Sequence, residues 1–240
     1  MLSEIDIHNV LFLDIETVPF VKSFHELSED MQILWEKKSA LFRSGEQGAE
    51  DVYDRAGIYA EFGKIICISV GLITRIKNGS GIRIKSYAGD DELKVLSEFA
   101  EMVRKYTGNK NLYLCAHNGK EFDFPYLARR MLINGIKLPR VLDNAGKKPW
   151  EIRHLDTMEL WKFGDYKHYT SLDLLTTVFN IPSPKTDMDG SKVAGVYYRD
   201  NDLPRIIRYC QADVIAIIQL LLRYKGIKLI PEENVEYPED

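Results

Sequence analysis

Acidic side chains stand inside or beside apolar stretches at three separate places in this chain. The first place is the pair Asp14 and Glu16, the second is Asp123, and the third is Asp213. Burying a carboxylate is costly unless a partner compensates its charge. Sets of carboxylate oxygens are the ligands that hard divalent cations prefer. The sequence therefore predicts that three distant segments fold together around one oxygen-rich metal site.

The first acidic pair lies at the end of a predicted strand. Residues 10–13 form a short apolar run ahead of Pro19, which is the pattern of a buried strand. Side chains two residues apart on a strand point to the same face, so Asp14 and Glu16 would repel each other without a cation between them. The alternative is that the strand ends here and leaves both acids in water.

The last acidic position lies on a predicted amphipathic helix at 202–224. Apolar residues recur there at helical spacing, and Pro204 and Gly226 indicate its start and stop. Tyr209 and Asp213 are four residues apart and are therefore neighbours on one helix face. They flank the buried stripe and would point toward the sheet. A tyrosine and an aspartate at the edge of a core are the ordinary alternative.

The middle acid, Asp123, lies in the first turn of a helix predicted at 122–133. A buried strand at 111–116 precedes that helix. The helix dipole favours an anion at this position, which is a purely structural explanation. The other explanation is that a strand end and a helix start meet where open α/β sheets build their sites.

Together these residues resemble the three motifs of the DEDD superfamily of 3′–5′ exonucleases. Those motifs are DxE after an apolar strand, Nx3(F/Y)D before a helix, and Yx3D in the tyrosine (DEDDy) branch. Matching residues occur in the same order and at similar separations: Asp14, Glu16, Asn118, Phe122, Asp123, Tyr209 and Asp213. The histidine branch would need His at position 208, which is Arg, so the tyrosine branch matches better.

Residues 62–71 also resemble the second strand of the exonuclease domain of family B DNA polymerases. The chain is thus most similar to stand-alone, PolB-like predicted exonucleases. The resemblance implies a ribonuclease H-like α/β fold, with a mixed central sheet, antiparallel first strands and helices on both faces. We expect a single domain over 1–240, with a loose acidic tail at 231–240. A helical insertion at about 21–62 follows Glu16 and is expected beside the site.

The secondary structure predicted from the pattern of apolar residues agrees with that architecture. Strands are predicted near 10–15, 64–74, 81–88, 111–116 and 152–155. Helices are predicted near 91–106, 122–133, 157–162, 171–180 and 202–224.

The resemblance also implies an activity and cofactors. The activity is hydrolysis of phosphodiester bonds at 3′ ends of single-stranded nucleic acid, DNA more than RNA, releasing nucleoside 5′-monophosphates. Asp14, Glu16, Asp123 and Asp213 would bind two divalent ions, Mg²⁺ or Mn²⁺, with Asp14 shared between them. Tyr209 would orient the attacking water, because a phenol with a pKa near ~10 is a poor general base.

Four residues are candidates for contact with the substrate: Thr17, Asn118, Phe122 and Lys185. Thr17 follows the first motif, where family members contact the 3′-terminal nucleotide. Asn118 could hydrogen-bond to the sugar or backbone, and Phe122 could support base stacking. Lys185 could pair with a phosphate, although a solvated surface lysine is the ordinary alternative.

The net charge, apolar runs and cysteines of the chain limit the kinds of protein that it can be. The net charge of −4 is not the overall footprint of a nucleic-acid binder, although local basic patches can still hold phosphates. No apolar run is long enough for a membrane span, and no signal peptide is evident. Cys67, Cys115 and Cys210 stand in apolar segments and predict buried thiols in a reducing cytoplasm.

Two other functions are open from the sequence. A ribonuclease H-like endonuclease would keep the fold and the metals, but the Tyr209-x3-Asp213 helix argues against it. A nucleic-acid-binding module with an inactive site is the second alternative, and the presence of all five motif residues disfavours it.

Overall fold

A six-stranded sheet lies at the centre of the computed structural model, which describes residues 2–77, 79–107, 112–165, 169–182 and 188–238. Its strands are β1 (Val10–Pro19), β2 (Gly63–Ile76), β3 (Gly79–Ala88), β4 (Tyr113–Ala116), β5 (Leu155–Asp156) and β6 (Val235–Glu236). They lie in the order β5-β4-β1-β2-β3-β6.

The strand directions make this a mixed sheet. β1 is antiparallel to β2, and β2 is antiparallel to β3. β4 runs parallel to β1, and β5 runs parallel to β4. The predicted α/β class with antiparallel first strands is therefore confirmed.

Helices cover both faces of the sheet, as predicted. They are α1 (Glu29–Ser39), α2 (Glu92–Thr107), α3 (Asp123–Ile133), α4 (Thr157–Lys162), α5 (Leu172–Val178), α6 (Val193–Gly195) and α7 (Leu203–Tyr224). Within the described ranges, no helix is long and apolar enough to cross a bilayer.

Side chains along β1 alternate between the two faces of the sheet and contact a different apolar cluster on each face. Leu11, Leu13 and Ile15 belong to the apolar cluster that includes α2 and α3. Val10 and Phe12 belong to the cluster on the opposite face, which is built largely by α7. Because side chains alternate with a period of two, the even-numbered residues of β1 face α7.

β1 is longer than the sequence predicts. It was expected near 10–15 but continues to Pro19, where it pairs with Gly63 of β2. The register shifts by one residue between Glu16 and Thr17, which is a β-bulge. Such bulges redirect side chains while pairing continues. The idea that the strand ends at Asp14 and leaves the acids in water is therefore wrong.

The insertion at about 21–62 consists of α1 and a 3₁₀ helix, Glu50–Ile58. It builds an apolar cluster around the fully buried Trp35, whose indole nitrogen donates to the carbonyl oxygen of Ala49 at 2.8 Å. It approaches β1 at Gly57, where an added Cβ would lie 3.0 Å from the backbone of Val18. The two helices lie at Glu29–Ser39 and Glu50–Ile58, and the assignment of 21–62 as an insertion stays a prediction.

Two segments differ from expectation. The sequence predicts no helix between 190 and 200, but α6 and a π-helix, Val196–Asp200, lie there. The tail was expected to be loose, yet Val235–Glu236 pairs with β3, and Glu236 forms an ion pair with Arg83 at 3.3 Å. The single domain over 1–240 stays a prediction.

Candidate active site

Asp14 and Glu16 lie on the face of β1 that packs against α7, because they share the parity of Val10 and Phe12. Glu16 is only 6% exposed. One ligand atom each from Asp14, Glu16 and Cys210 lies within 4.8 Å of the others. Strand geometry therefore brings the first acidic pair together as predicted.

Helix α7 supplies the opposite side of the site. Its apolar positions Ile206, Cys210 and Val214 are fully buried, which fixes the rotation of the helix against the sheet. Tyr209 and Asp213 consequently line the same cleft as Asp14 and Glu16. The Tyr209 phenol lies close enough to Asp213 for the charge of that carboxylate to raise its pKa, after the larger effect of burial.

Asp123 is the first residue of α3 and lies behind the cleft wall, with only 3% of its surface exposed. Its carboxylate lies close to its own backbone N–H and to that of Ile15, between the two acids of β1. Burial is the main cause that raises its pKa to about 8, and these N–H groups oppose that shift.

The four carboxylates destabilise one another's charged forms. Burial, followed by the charges of Glu16, Asp213 and Asp123, raises the pKa of Asp14 well above its usual range. Burial and the charge of Asp213 do the same to the pKa of Glu16. Burial raises the pKa of Asp213 to about 7. Lys120 and Arg130 form their ion pairs with Glu159 and Glu92, so neither of them compensates the charge of the four acids.

The donor set fits a divalent metal ion. The Oδ2 atom of Asp14 is buried and has no hydrogen-bond partner among the described residues. An orphaned carboxylate oxygen among other carboxylates is costly without a cation. The nearby Cys210 thiol donates instead to the backbone carbonyl of Asp14 at 3.4 Å, and burial raises its pKa. Oxygen ligands alone suit Mg²⁺ or Mn²⁺.

The acids open onto a cleft of about 580 Å³. Several residues that line it carry no motif and were not predicted as site residues: Asp54, Arg55, Tyr169, Ser171, Asp173 and Asp189. The first two belong to the insertion, which was expected beside the site. Asp173 is close enough for its charge to raise the pKa of Asp213 further.

The four residues predicted to contact the substrate differ in whether they line the cleft. Thr17 and the half-buried Phe122 line the cleft, whereas Phe124 is buried in the core. Asn118 is not one of the described residues that line the cleft. Its Oδ1 is buried and has no hydrogen-bond partner within the described part of the chain. Lys185 lies outside the described residues. The roles of all four candidates stay predictions.

Asp156 holds the loop that leads to Asp123. Its carboxylate accepts from the backbone N–H groups of Asn118 at 3.0 Å and Lys120 at 3.1 Å. It also caps α4 by accepting from the Met158 N–H at 3.0 Å, as predicted. The loop is thereby fixed to β5, which positions the start of α3 at the site.

One family model matches most of the chain. The model of a family described as a predicted 3′–5′ exonuclease related to the exonuclease domain of PolB matches residues 58–234. That range contains Asp123, Tyr209 and Asp213 but not Asp14 or Glu16.

Comparison with solved structures identifies the fold. The family B DNA polymerase of the hyperthermophilic archaeon Pyrobaculum calidifontis is similar with a TM-score of 0.54 and 15% sequence identity. The match covers 90% of this chain and 24% of the polymerase chain, so this chain spans about a quarter of that protein. The likeness confirms the ribonuclease H-like fold.

Proposed function

Because the chain belongs to the family of predicted 3′–5′ exonucleases related to the exonuclease domain of PolB, we propose that its acidic cleft cleaves phosphodiester bonds at 3′ ends of single-stranded nucleic acid. The products are nucleoside 5′-monophosphates. The main support is the convergence of Asp14 and Glu16 with Tyr209 and Asp213 at one cleft, from segments nearly two hundred residues apart. DNA is the favoured substrate because the related domain belongs to a DNA polymerase.

Asp14, Glu16, Asp123 and Asp213 are the proposed ligands of two divalent ions, Mg²⁺ or Mn²⁺. The orphaned, buried Oδ2 of Asp14 supports its assignment as the shared ligand. Such ions lower the pKa of water and compensate negative charge on the leaving oxygen. They would also relieve the repulsion that raises the pKa values of the four acids.

Tyr209 acts as an orienting group in this proposal. Burial and the neighbouring acids raise the pKa of its phenol further above the usual range, so it keeps its proton. A permanently protonated phenol cannot remove a proton from water. It can fix the direction of a water molecule through hydrogen bonds, and packing beside Cys210 holds its ring in place.

Asp123 is also proposed to position α3 against β1. Its carboxylate lies close to the Ile15 N–H, between Asp14 and Glu16. This proximity sets the separation of the middle acid from the first pair. Thr17 and Phe122, which line the cleft, are proposed to contact the terminal nucleotide.

The test is cleavage of a 5′-labelled linear single strand, with DNA and RNA in parallel and with Mg²⁺ or Mn²⁺. We expect a descending ladder from the linear strand and no cutting of a circular single strand. Linearisation of the circle would instead indicate an endonuclease. Binding without any cleavage would indicate a nucleic-acid-binding module with an inactive site.

A further inference from the structure

The insertion places a single cation in a cleft of acids. Among the described residues, Arg55 is the one lysine or arginine that lines the cleft. Six acidic side chains line it as well: Asp14, Glu16, Asp54, Asp173, Asp189 and Asp213. A polyanionic strand that enters such a cleft meets strong repulsion from the acidic side chains. The position of the Arg55 guanidinium therefore affects where a phosphate can lie.

The Arg55 guanidinium is held flat on an aromatic ring. Its central carbon lies 4.3 Å from the centroid of the Phe42 ring. Phe42 stacks on Tyr59 with 16° between the ring planes, and the Lys38 ammonium lies 4.4 Å from the centroid of Tyr59. Trp35 packs edge-on against both rings. Stacking restricts the guanidinium plane while its N–H groups stay free to donate.

The part of the insertion that carries Arg55 is fixed to the core. The Tyr126 hydroxyl donates to the carbonyl oxygen of Gly57 at 2.8 Å. Arg130 donates to the carbonyl oxygen of Ala60, also at 2.8 Å. Gly57 also lies against the backbone of Val18, close to the first motif. Arg55 is two residues from Gly57, so its position relative to the acids is set by these contacts.

We propose that Arg55 binds a backbone phosphate of the substrate strand and that the insertion is therefore part of the substrate-binding surface. This inference depends on the proposed function. Within the described chain, Arg55 forms no ion pair that would occupy its donors. A planar guanidinium donates two parallel hydrogen bonds to a phosphate, which a lysine ammonium does not reproduce.

Lys38 provides a matched control. It stands at the other end of the same aromatic stack, on the same insertion, but it does not line the cleft. Lys38→Gln and Arg55→Gln each remove one positive charge from the insertion and one cation from the stack. Only Arg55→Gln removes a charge from the cleft. Arg55→Lys keeps the charge there and removes the planar fork.

The experiment measures the affinity of a short, 5′-fluorescent single strand by anisotropy, over salt concentrations of roughly 50–200 mM. All variants carry Asp14→Asn so that the strand stays uncut. Arg55→Gln should weaken binding about tenfold. It should also reduce the slope of log affinity against log salt by about 0.7, the value for one phosphate on a single strand. Arg55→Lys should keep the slope with weaker binding, and Lys38→Gln should change neither.

Steady-state cleavage with Asp14 intact gives a second measurement. Arg55→Gln should raise KM with a smaller effect on kcat, because a phosphate contact made before and during the reaction stabilises both states. If the strand binds and is cleaved but Arg55→Gln matches Lys38→Gln in slope and KM, Arg55 does not bind phosphate and the proposed function stands. If the parent protein neither binds nor cleaves the strand, both proposals are wrong.

Discussion

The phenol of Tyr209 and the carboxylate of Asp213 lie one turn apart on α7 and line the same cleft, where burial and then the charge of Asp213 raise the pKa of the phenol. Tyr209 is a poor ligand for a hard cation, whereas Asp213 is a good one. Their two roles can be separated by mutation, because removing the Tyr209 hydroxyl leaves every carboxylate in place.

Tyr209→Phe should lower the single-turnover rate by roughly 10²–10³-fold, the usual loss for one positioned catalytic hydrogen bond. Metal affinity and thermal stability should change little, because the ring still packs beside Cys210. Metal titration and rapid-quench cleavage of the same preparation measure both quantities. A wild-type rate in Tyr209→Phe would mean that this tyrosine is only a core residue.

The packing of α7 on the sheet should affect the rate of cleavage, because this helix positions Asp213. At Gly71 of β2, an added Cβ would lie 2.7 Å from Val214 and 2.8 Å from Ile218. Gly71→Ala should therefore push α7 outward, cost about 1–3 kcal/mol of unfolding free energy and displace Asp213 from Asp14. We expect cleavage to fall more than about tenfold, since such displacements are costly in catalysis.

The control for that substitution is Gly89→Ala, near the end of β3. There the nearest atom to an added Cβ is on Val95 at 3.8 Å, which is an ordinary contact. Chemical denaturation and single-turnover cleavage should be close to wild type. Equal effects of the two substitutions would contradict the close approach of α7 at Gly71.

A buried ion pair should contribute strongly to stability. Arg130, 3% exposed, donates to both carboxylate oxygens of Glu92, at 2.9 and 2.5 Å. Arg130→Met leaves Glu92 buried and unpaired and should cost about 3–5 kcal/mol in urea unfolding. Its exposed neighbour provides the control, because Arg129→Met should change stability by less than about 0.5 kcal/mol. Similar losses for both would refute the role of the pair.

His154 should oppose stability in mild acid, in contrast to the four site acids, whose raised pKa values favour the folded chain as pH decreases. Its Nε2–H donates to the carbonyl oxygen of Val141 at 2.9 Å, while its Nδ1 is buried without a partner among the described residues. Burial lowers its pKa to about 4, whereas an unfolded histidine titrates near ~6.5. Between these values the unfolded chain binds a proton that the folded chain does not. The contribution of His154 to the free energy of unfolding therefore falls by about 1.4 kcal/mol per pH unit as pH decreases between these values.

Urea unfolding from about pH 7 to about pH 5 measures this slope, and the comparison is with His154→Asn. The variant should lose the histidine contribution to the slope. An unchanged slope in His154→Asn would show that this ring does not titrate in that range.

The sequence predicts most of the fold because strong periodicities mark its main elements. The alternation in β1 and the apolar stripe of α7 determine which faces meet, and the motif acids follow from those faces. The bulge after Glu16 and the extension to Pro19 depend on pairing with β2, which local pattern does not reveal. The helical turns at 190–200 were missed because Gly190 and Gly195 interrupt a segment that is too short to show a helical period.

The rest of the cleft could not be predicted because it depends on how the insertion docks. Asp54 and Arg55 carry no motif, and only the approach of Gly57 to Val18 brings them to the acids. The motif acids were identifiable because a carboxylate beside an apolar strand or helix requires compensation. Arg55 is exposed on the surface of a 3₁₀ helix, where an arginine needs no explanation.

The central claim is that the carboxylates around Asp14 form a divalent metal centre that is required for cleavage. It is tested most directly by Mn²⁺ titration and single-turnover cleavage of a 5′-labelled strand, with wild type and Asp14→Asn compared in the same buffers. We predict that wild type binds the ion, cleaves stepwise with Mn²⁺ or Mg²⁺ and is inactive in excess chelator. Asp14→Asn should lose both ion binding and cleavage. Full cleavage by wild type in excess chelator, or by Asp14→Asn, would contradict this account.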